Sequence, residues 1–262
     1  MKATTNGIQT YYEIHGREGS PWLVLSHSLA CSVRMWDPQI EALKDRYRIL
    51  AYDTRGHGAS EAPAGPYTLD MFADDLAALL KAVGATNPHY CGLSMGGMIG
   101  QTFALKFPGV LRTLVLADTT SRYPAEAAAL WAERIRTAET RGMEPLAQPT
   151  LERWFTAPFR QSRPETVEAI RKLIVATPVP GYAGCSAALP KINTTARLKE
   201  IRVPILVIVG EQDGGTPPAM AREIHENAPG SQLTVLPQAA HLANLEQPEA
   251  FTRTLAEFLA RN

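Results

Sequence analysis

Apolar positions fall into two kinds of segment that alternate along most of the chain. Short runs, several of them apolar at successive positions, recur at Trp22–Ser26, Arg48–Tyr52, His89–Cys91, Thr113–Ala117, Ile205–Val209 and Gln232–Leu236. That pattern predicts strands of a parallel sheet covered on both faces. Between them lie segments with apolar residues every three or four positions: Asp70–Val83, Met98–Phe107, Ala219–Ala228 and Pro248–Leu259, each predicted to be a helix. Asn6-Gly7, set between Lys2–Thr5 and Ile8–His15, predicts an opening β-hairpin, because such turns need the positive φ angles that Asn and Gly tolerate. Counting the hairpin, the order gives an α/β fold: an eight-stranded, mostly parallel, doubly wound sheet with helices on both faces.

The alternation stops between residues 121 and 195. That stretch shows helices at Ala125–Glu139 and Pro164–Ala176 and no convincing strand. It reads as a helical lid (121–195) inserted into a core built from 1–120 and 196–262. A chain of 262 residues is long enough for one such core and short for two independent domains.

Charge excludes one class of partner. Lys plus Arg and Asp plus Glu each total 26, so no net field gathers nucleic acid or an acidic membrane surface. Cys31, Cys91 and Cys185 are odd in number and far apart, which fits neither a disulfide framework nor zinc-ligand spacing. With no apolar leader or membrane-length run, the expectation is a soluble, cytoplasmic protein.

The chemistry concentrates after the third predicted parallel strand. Gly92-Leu93-Ser94-Met95-Gly96-Gly97 lies between that strand and a helix, the context of a nucleophile elbow, where a serine sits on a sharp turn that small neighbours permit. The alternative is a glycine-rich helix start with a capping serine. A serine hydroxyl needs a base, and His241 lies in the loop after the last strand, which opens at the same carboxyl edge of the sheet as the elbow. Asp213 follows strand Ile205–Val209 at that edge and can hold the imidazole; Asp118, after Thr113–Ala117, and Glu211 are the rival acids. The chain order Ser94, Asp213, His241 is that of the α/β-hydrolase triad. The oxyanion of an acyl-transfer intermediate needs preorganised donors. Met95 N–H supplies one, and Leu29 N–H, in the loop His27-Ser28-Leu29-Ala30, is the choice for the second, with His27 bracing the loop. Asp53-Thr54-Arg55-Gly56-His57-Gly58 carries a G-x-G fragment but no adjoining helix or Lys-Ser/Thr end, and reads as a tight hydrogen-bonded turn rather than a phosphate loop. No histidine spacing predicts a metal site.

These motifs resemble the α/β-hydrolase superfamily and, within it, the 3-oxoadipate enol-lactonases. The resemblance rests on Leu25-Ser26-His27-Ser28-Leu29 with Met35-Trp36, Tyr52 to Gly58, Ser60-Glu61-Ala62-Pro63, and Cys91 to Gly97. More particular to the lactonases are Ser28 and three lid segments: Arg141-Gly142-Met143, Arg153-Trp154-Phe155-Thr156 and Gly181-Tyr182-Ala183. His27 and Ala30 depart from the lactonase loop Asn-Ser-Leu-Gly. The resemblance implies a small enol-lactone substrate bearing a carboxylate, no metal and no organic cofactor. It also implies that Trp131 and Arg134, one turn apart on the first lid helix, meet that substrate, where the plain alternative is an exposed arginine and a packing tryptophan. Trp154 is a further candidate for the pocket wall, and Arg34 is a second candidate clamp for the carboxylate. A general carboxylesterase is the main competing function, and a non-catalytic ligand receptor on the same fold is the competitor from a different class.

Overall fold

A computed structural model describes residues 1–262. The strands are β1 (Lys2–Thr5), β2 (Ile8–His15), β3 (Trp22–Ser26), β4 (Arg48–Tyr52), β5 (His89–Leu93), β6 (Thr113–Ala117), β7 (Ile205–Gly210) and β8 (Gln232–Leu236). They form one sheet of eight in the order β1-β2-β4-β3-β5-β6-β7-β8. β1 and β2 pair antiparallel, β2 joins β4 antiparallel, and every later pair is parallel. β5, β6 and β7 are buried along their whole length, which is why their sequences are apolar at successive positions, whereas the edge strand β8 is half-exposed.

Two helical layers cover the sheet. Asp37–Leu43 packs against Pro248–Arg261, while Leu69–Val83 packs against Met95–Lys106, which also lies on β5 and β6. Helix ends follow local chemistry. Thr68 Oγ1 accepts the Met71 N–H at 3.1 Å to start Leu69–Val83, and Gly84, at φ 70°, stops it in the left-handed conformation that a side chain would strain.

Between β6 and β7 the chain forms the helices Ala127–Arg141, Glu144–Trp154, Ala157–Ser162, Pro164–Ala176 and Val179–Ala188. The two ends of this excursion meet. Arg122 bridges Asn193, the Thr194 N–H donates to Ser121 O at 2.8 Å, and the Ser121 and Thr195 hydroxyls lie 2.7 Å apart. Val179–Ala188 docks on the turn after β4 by contact of backbone with backbone. A Cβ on Gly181 would lie 2.0 Å from Gly56 O, so the glycine of the G-x-G turn and the glycine of the helix are both required by this close approach. No single helix is long and apolar enough to cross a membrane.

Candidate active site

The elbow is built by backbone strain held in place. Ser94 joins β5 to Met95–Lys106 with φ 56° and ψ −112°, an unfavourable region for a residue with a side chain. Its N–H donates to Ala117 O at 2.8 Å, and its carbonyl accepts from Thr119 Oγ1 at 2.7 Å, so the strand on one side fixes the turn. A Cβ on Gly92 would come within 2.3 Å of Gly96 C, and one on Gly96 within 2.2 Å of Ser26 O. The small residues around Ser94 are therefore demanded by packing as well as by the turn.

His241 and Asp213 meet as the chain order predicts. His241 Nδ1 lies 2.9 Å from Asp213 Oδ2, with both side chains almost fully buried. Asp213 also accepts from the N–H groups of Gly215 at 2.7 Å and Thr216 at 2.9 Å, and from Thr216 Oγ1 at 2.7 Å. Burial raises its proton affinity, but the charge and hydrogen bond of His241 and the Thr216 donors outweigh that and hold the carboxyl below the usual range. An ionised Asp213 fixes the tautomer with the proton on Nδ1 and leaves Nε2 as a base. Neither Nε2 nor Ser94 Oγ hydrogen-bonds to another protein group, and the two residues line the same cavity.

The rival acids have other partners. Asp118 Oδ1 accepts from Gly210 N–H at 2.8 Å and so braces the end of β7, the strand that leads into the Asp213 loop. Complete burial, and then the charge of Asp213, push the Asp118 carboxyl well above the ordinary value, and its Oδ2 has no partner. Glu211 is exposed and accepts only the Gln238 N–H, at 3.4 Å.

The loop from His27 to Ala30 is held from below by two histidines. His27 Nε2 accepts the Thr54 N–H at 2.8 Å, and its Nδ1 lies 2.7 Å from Ser28 O. His57 Nε2 accepts the Ala30 N–H at 2.9 Å, which supports Ala30 at φ 57°. His27 is thus the brace expected of it, while His57, expected only as part of a tight turn, is a second brace. Leu29 N–H makes no hydrogen bond within the chain, and Met95, as the first residue of its helix, has no intrahelical acceptor. Both N–H groups are therefore without an acceptor in the chain.

Burial keeps both rings neutral. It lowers His27 to about 4 and, with His27 adding a smaller push, His57 to about 3. The unfolded chain binds protons on both below about pH 6.5, and the folded chain does not. The stability contributed by neutral imidazoles is therefore complete above that pH and is lost as the pH falls toward 4. His57→Gln keeps an acceptor but cannot titrate, so its melting temperature should fall less steeply than the wild type's between about pH 6.5 and 4.5. An equal or steeper fall would show that the loop does not depend on neutral rings.

The segment between β6 and β7 supplies most of the cavity wall. Trp131 and Trp154 both line it, and the Trp154 ring stacks on the His241 ring with centroids 5.8 Å apart at 29°. Arg134 also lines it, its guanidinium 4.9 Å from the centre of the Trp131 ring. Arg153, Tyr123 and Tyr182 line the same cavity and were not singled out as contacts from the sequence. Arg34 is the exception among the expected contacts. It lies outside the cavity, with its guanidinium ion-paired to Glu13 and, at 3.2 Å, to Asp37, so two carboxylates already neutralise it and it is no clamp. The histidine loop is stapled to the helical segment by Glu246, whose carboxylate accepts from Thr156 N–H at 2.9 Å, Thr156 Oγ1 at 2.8 Å and the Ala240 N–H.

Comparison with known proteins agrees with this geometry. Residues 21–248 match the model of the alpha/beta hydrolase fold. The chain is 36% identical to 3-oxoadipate enol-lactonase 2 of Acinetobacter baylyi over 98% of its own length and 96% of that protein. It superposes on the crystal structure of the enol-lactonase from Burkholderia xenovorans LB400 with a TM-score of 0.95 at 37% identity, covering 99% of this chain and 100% of that one. A thermophilic esterase from Thermogutta terrifontis, solved with malate bound, gives a TM-score of 0.93 at 32% identity, over 100% of this chain and 98% of its own. With a family match across most of the chain and whole-length likeness to lactone and ester hydrolases, this chain belongs to the α/β-hydrolase fold family and is a hydrolase.

Proposed function

We propose that the protein is a serine hydrolase that opens a small enol-lactone bearing a carboxylate, of the 3-oxoadipate enol-lactone type, through an acyl-enzyme. The observation that carries the reading is the sharing of one cavity by Ser94 on its strained elbow and His241 bound to Asp213. The likeness to enol-lactonases over the whole chain supports the substrate. His241 Nε2 takes the Ser94 hydroxyl proton as Oγ attacks the lactone carbonyl, and the N–H groups of Leu29 and Met95 hold the oxyanion. Collapse of the intermediate breaks the ring C–O bond, and the enolate takes up a proton and becomes a ketone. Water, deprotonated by His241, then attacks the acyl-enzyme and releases the acid and Ser94. No step draws on a metal or an organic cofactor.

In this reading the helices between β6 and β7 act as a lid, and residues 121–195 form a unit set on a core of 1–120 and 196–262. Trp131 and Trp154 form apolar walls of the pocket, and Arg134 binds the substrate carboxylate. Arg134→Ala should then lower the ratio of kcat/KM for the carboxylated enol-lactone to that for a neutral ester by roughly ten- to a hundredfold, the equivalent of about 1.5–3 kcal/mol for one charge-assisted contact. Steady-state rates on the two substrates check it. Equal loss on both would mean a damaged lid, and no loss on either would favour the second reading. That reading is a general carboxylesterase, and the 32% likeness to an esterase supports it. A small-molecule substrate and a cytoplasmic site of action fit either reading.

A further inference from the structure

Arg153 shares the cavity wall with Arg134 although the two project from different helices, Glu144–Trp154 and Ala127–Arg141, which pack together. Its guanidinium makes one hydrogen bond, to Thr150 Oγ1 at 3.2 Å, about one turn back on its own helix. Neither Arg134 nor Arg153 is ion-paired, whereas Arg34, Arg55, Arg122 and Arg171 each hold a carboxylate. Glu152, the adjacent acid, is exposed and accepts instead from Gln148 Nε2 at 2.7 Å. No Asp or Glu lines the cavity.

Two like charges in a half-buried space, with no counter-charge, raise the energy of the free site, and an anion between them relieves it. Burial and then the charge of Arg134 lower the Arg153 guanidinium to about 10, so it remains a cation at neutral pH. Arg134 is spread over the Trp131 face, which restricts where its fork can point.

We propose that Arg153 is a specificity-determining residue that, together with Arg134, forms a two-guanidinium receptor for a carboxylate on the substrate. The class selected is lactones or esters that carry a free carboxylate beside the scissile group. The kinetic consequence rests on the serine-hydrolase reading, but the binding of a carboxylate anion does not.

The test compares wild type, Arg153→Gln and Arg153→Lys in two measurements. The first is the ratio of kcat/KM for the carboxylated enol-lactone to that for p-nitrophenyl butyrate. The second is the affinity for succinate, titrated through the intrinsic tryptophan fluorescence, to which Trp131 and Trp154 in the wall contribute. Arg153→Gln should lower the ratio by about tenfold or more, chiefly through KM for the enol-lactone, and weaken succinate by a similar factor. Arg153→Lys, which restores charge but not the planar fork, should recover part of both. A ratio within about threefold of wild type in Arg153→Gln, from equal loss on both substrates or loss on neither, would overturn the proposal. A wild type that turns over neither substrate would overturn the hydrolase reading instead. Succinate would then decide Arg153 alone: weaker binding by the Gln variant supports the receptor, and equal binding overturns it.

Discussion

Ser94→Ala is expected to lower kcat for lactone and ester hydrolysis by about 10⁴- to 10⁶-fold while leaving the protein folded. The size of the loss follows from the proposed roles: in that reading, without Oγ there is no acyl-enzyme, and the remaining donors and walls stabilise only a slow direct attack by water. The survival of the fold follows from the contacts. Ser94 is pinned through its backbone N–H and carbonyl, both of which alanine keeps, and its hydroxyl makes no hydrogen bond that the mutation would break. The melting temperature of the variant should therefore stay close to that of the wild type. Ser28 is the rival nucleophile, because its buried hydroxyl lacks a partner and it also lines the cavity. Mass spectrometry after fluorophosphonate treatment should find the adduct on Ser94; an adduct on Ser28 would reassign the nucleophile.

Asp213→Asn is expected to lower kcat by up to roughly 10⁴-fold. The amide turns an N–H toward Nδ1, which favours the other tautomer, and the hydrogen then sits on Nε2 where Ser94 needs a base. Asp118→Asn should cost less than about tenfold, because burial and the nearby Asp213 charge already push that carboxyl toward its neutral form, which asparagine mimics. The amide oxygen can still accept the Gly210 N–H that Asp118 Oδ1 holds now. Activity assays of the two variants side by side separate the assignments, and a reversed order would move the acid to the end of β6.

What could be read from the sequence was whatever depends on local pattern. Successive apolar positions marked the buried strands, and Gly92, Gly96 and Gly97 around Ser94 marked a turn that the structure shows to be sterically closed to side chains. Helix Glu144–Trp154 was missed because Pro149 lies inside it, and a proline there reads as a break. Val179–Ala188 was missed because Gly181 and Gly184 lower helix propensity; they are present for the docking of backbone on backbone. The remaining omissions are contacts between residues far apart in the chain. Glu246 meets Thr156 and His57 supports Ala30 without any local signal. Arg34 failed as a clamp for the same reason, since Glu13, which neutralises it, lies on β2 and no pattern near Arg34 announces the pair.

The measurement that bears most directly on the proposed function is kcat/KM on three substrates under the same conditions: the carboxylated enol-lactone, a saturated lactone and a neutral butyrate ester. An acyl-enzyme route with an enolate leaving group and a guanidinium-bound carboxylate predicts that the enol-lactone exceeds both others by about a hundredfold or more. A neutral butyrate ester that is turned over as well as the enol-lactone, or better, would contradict the lactonase account and make the protein a general carboxylesterase.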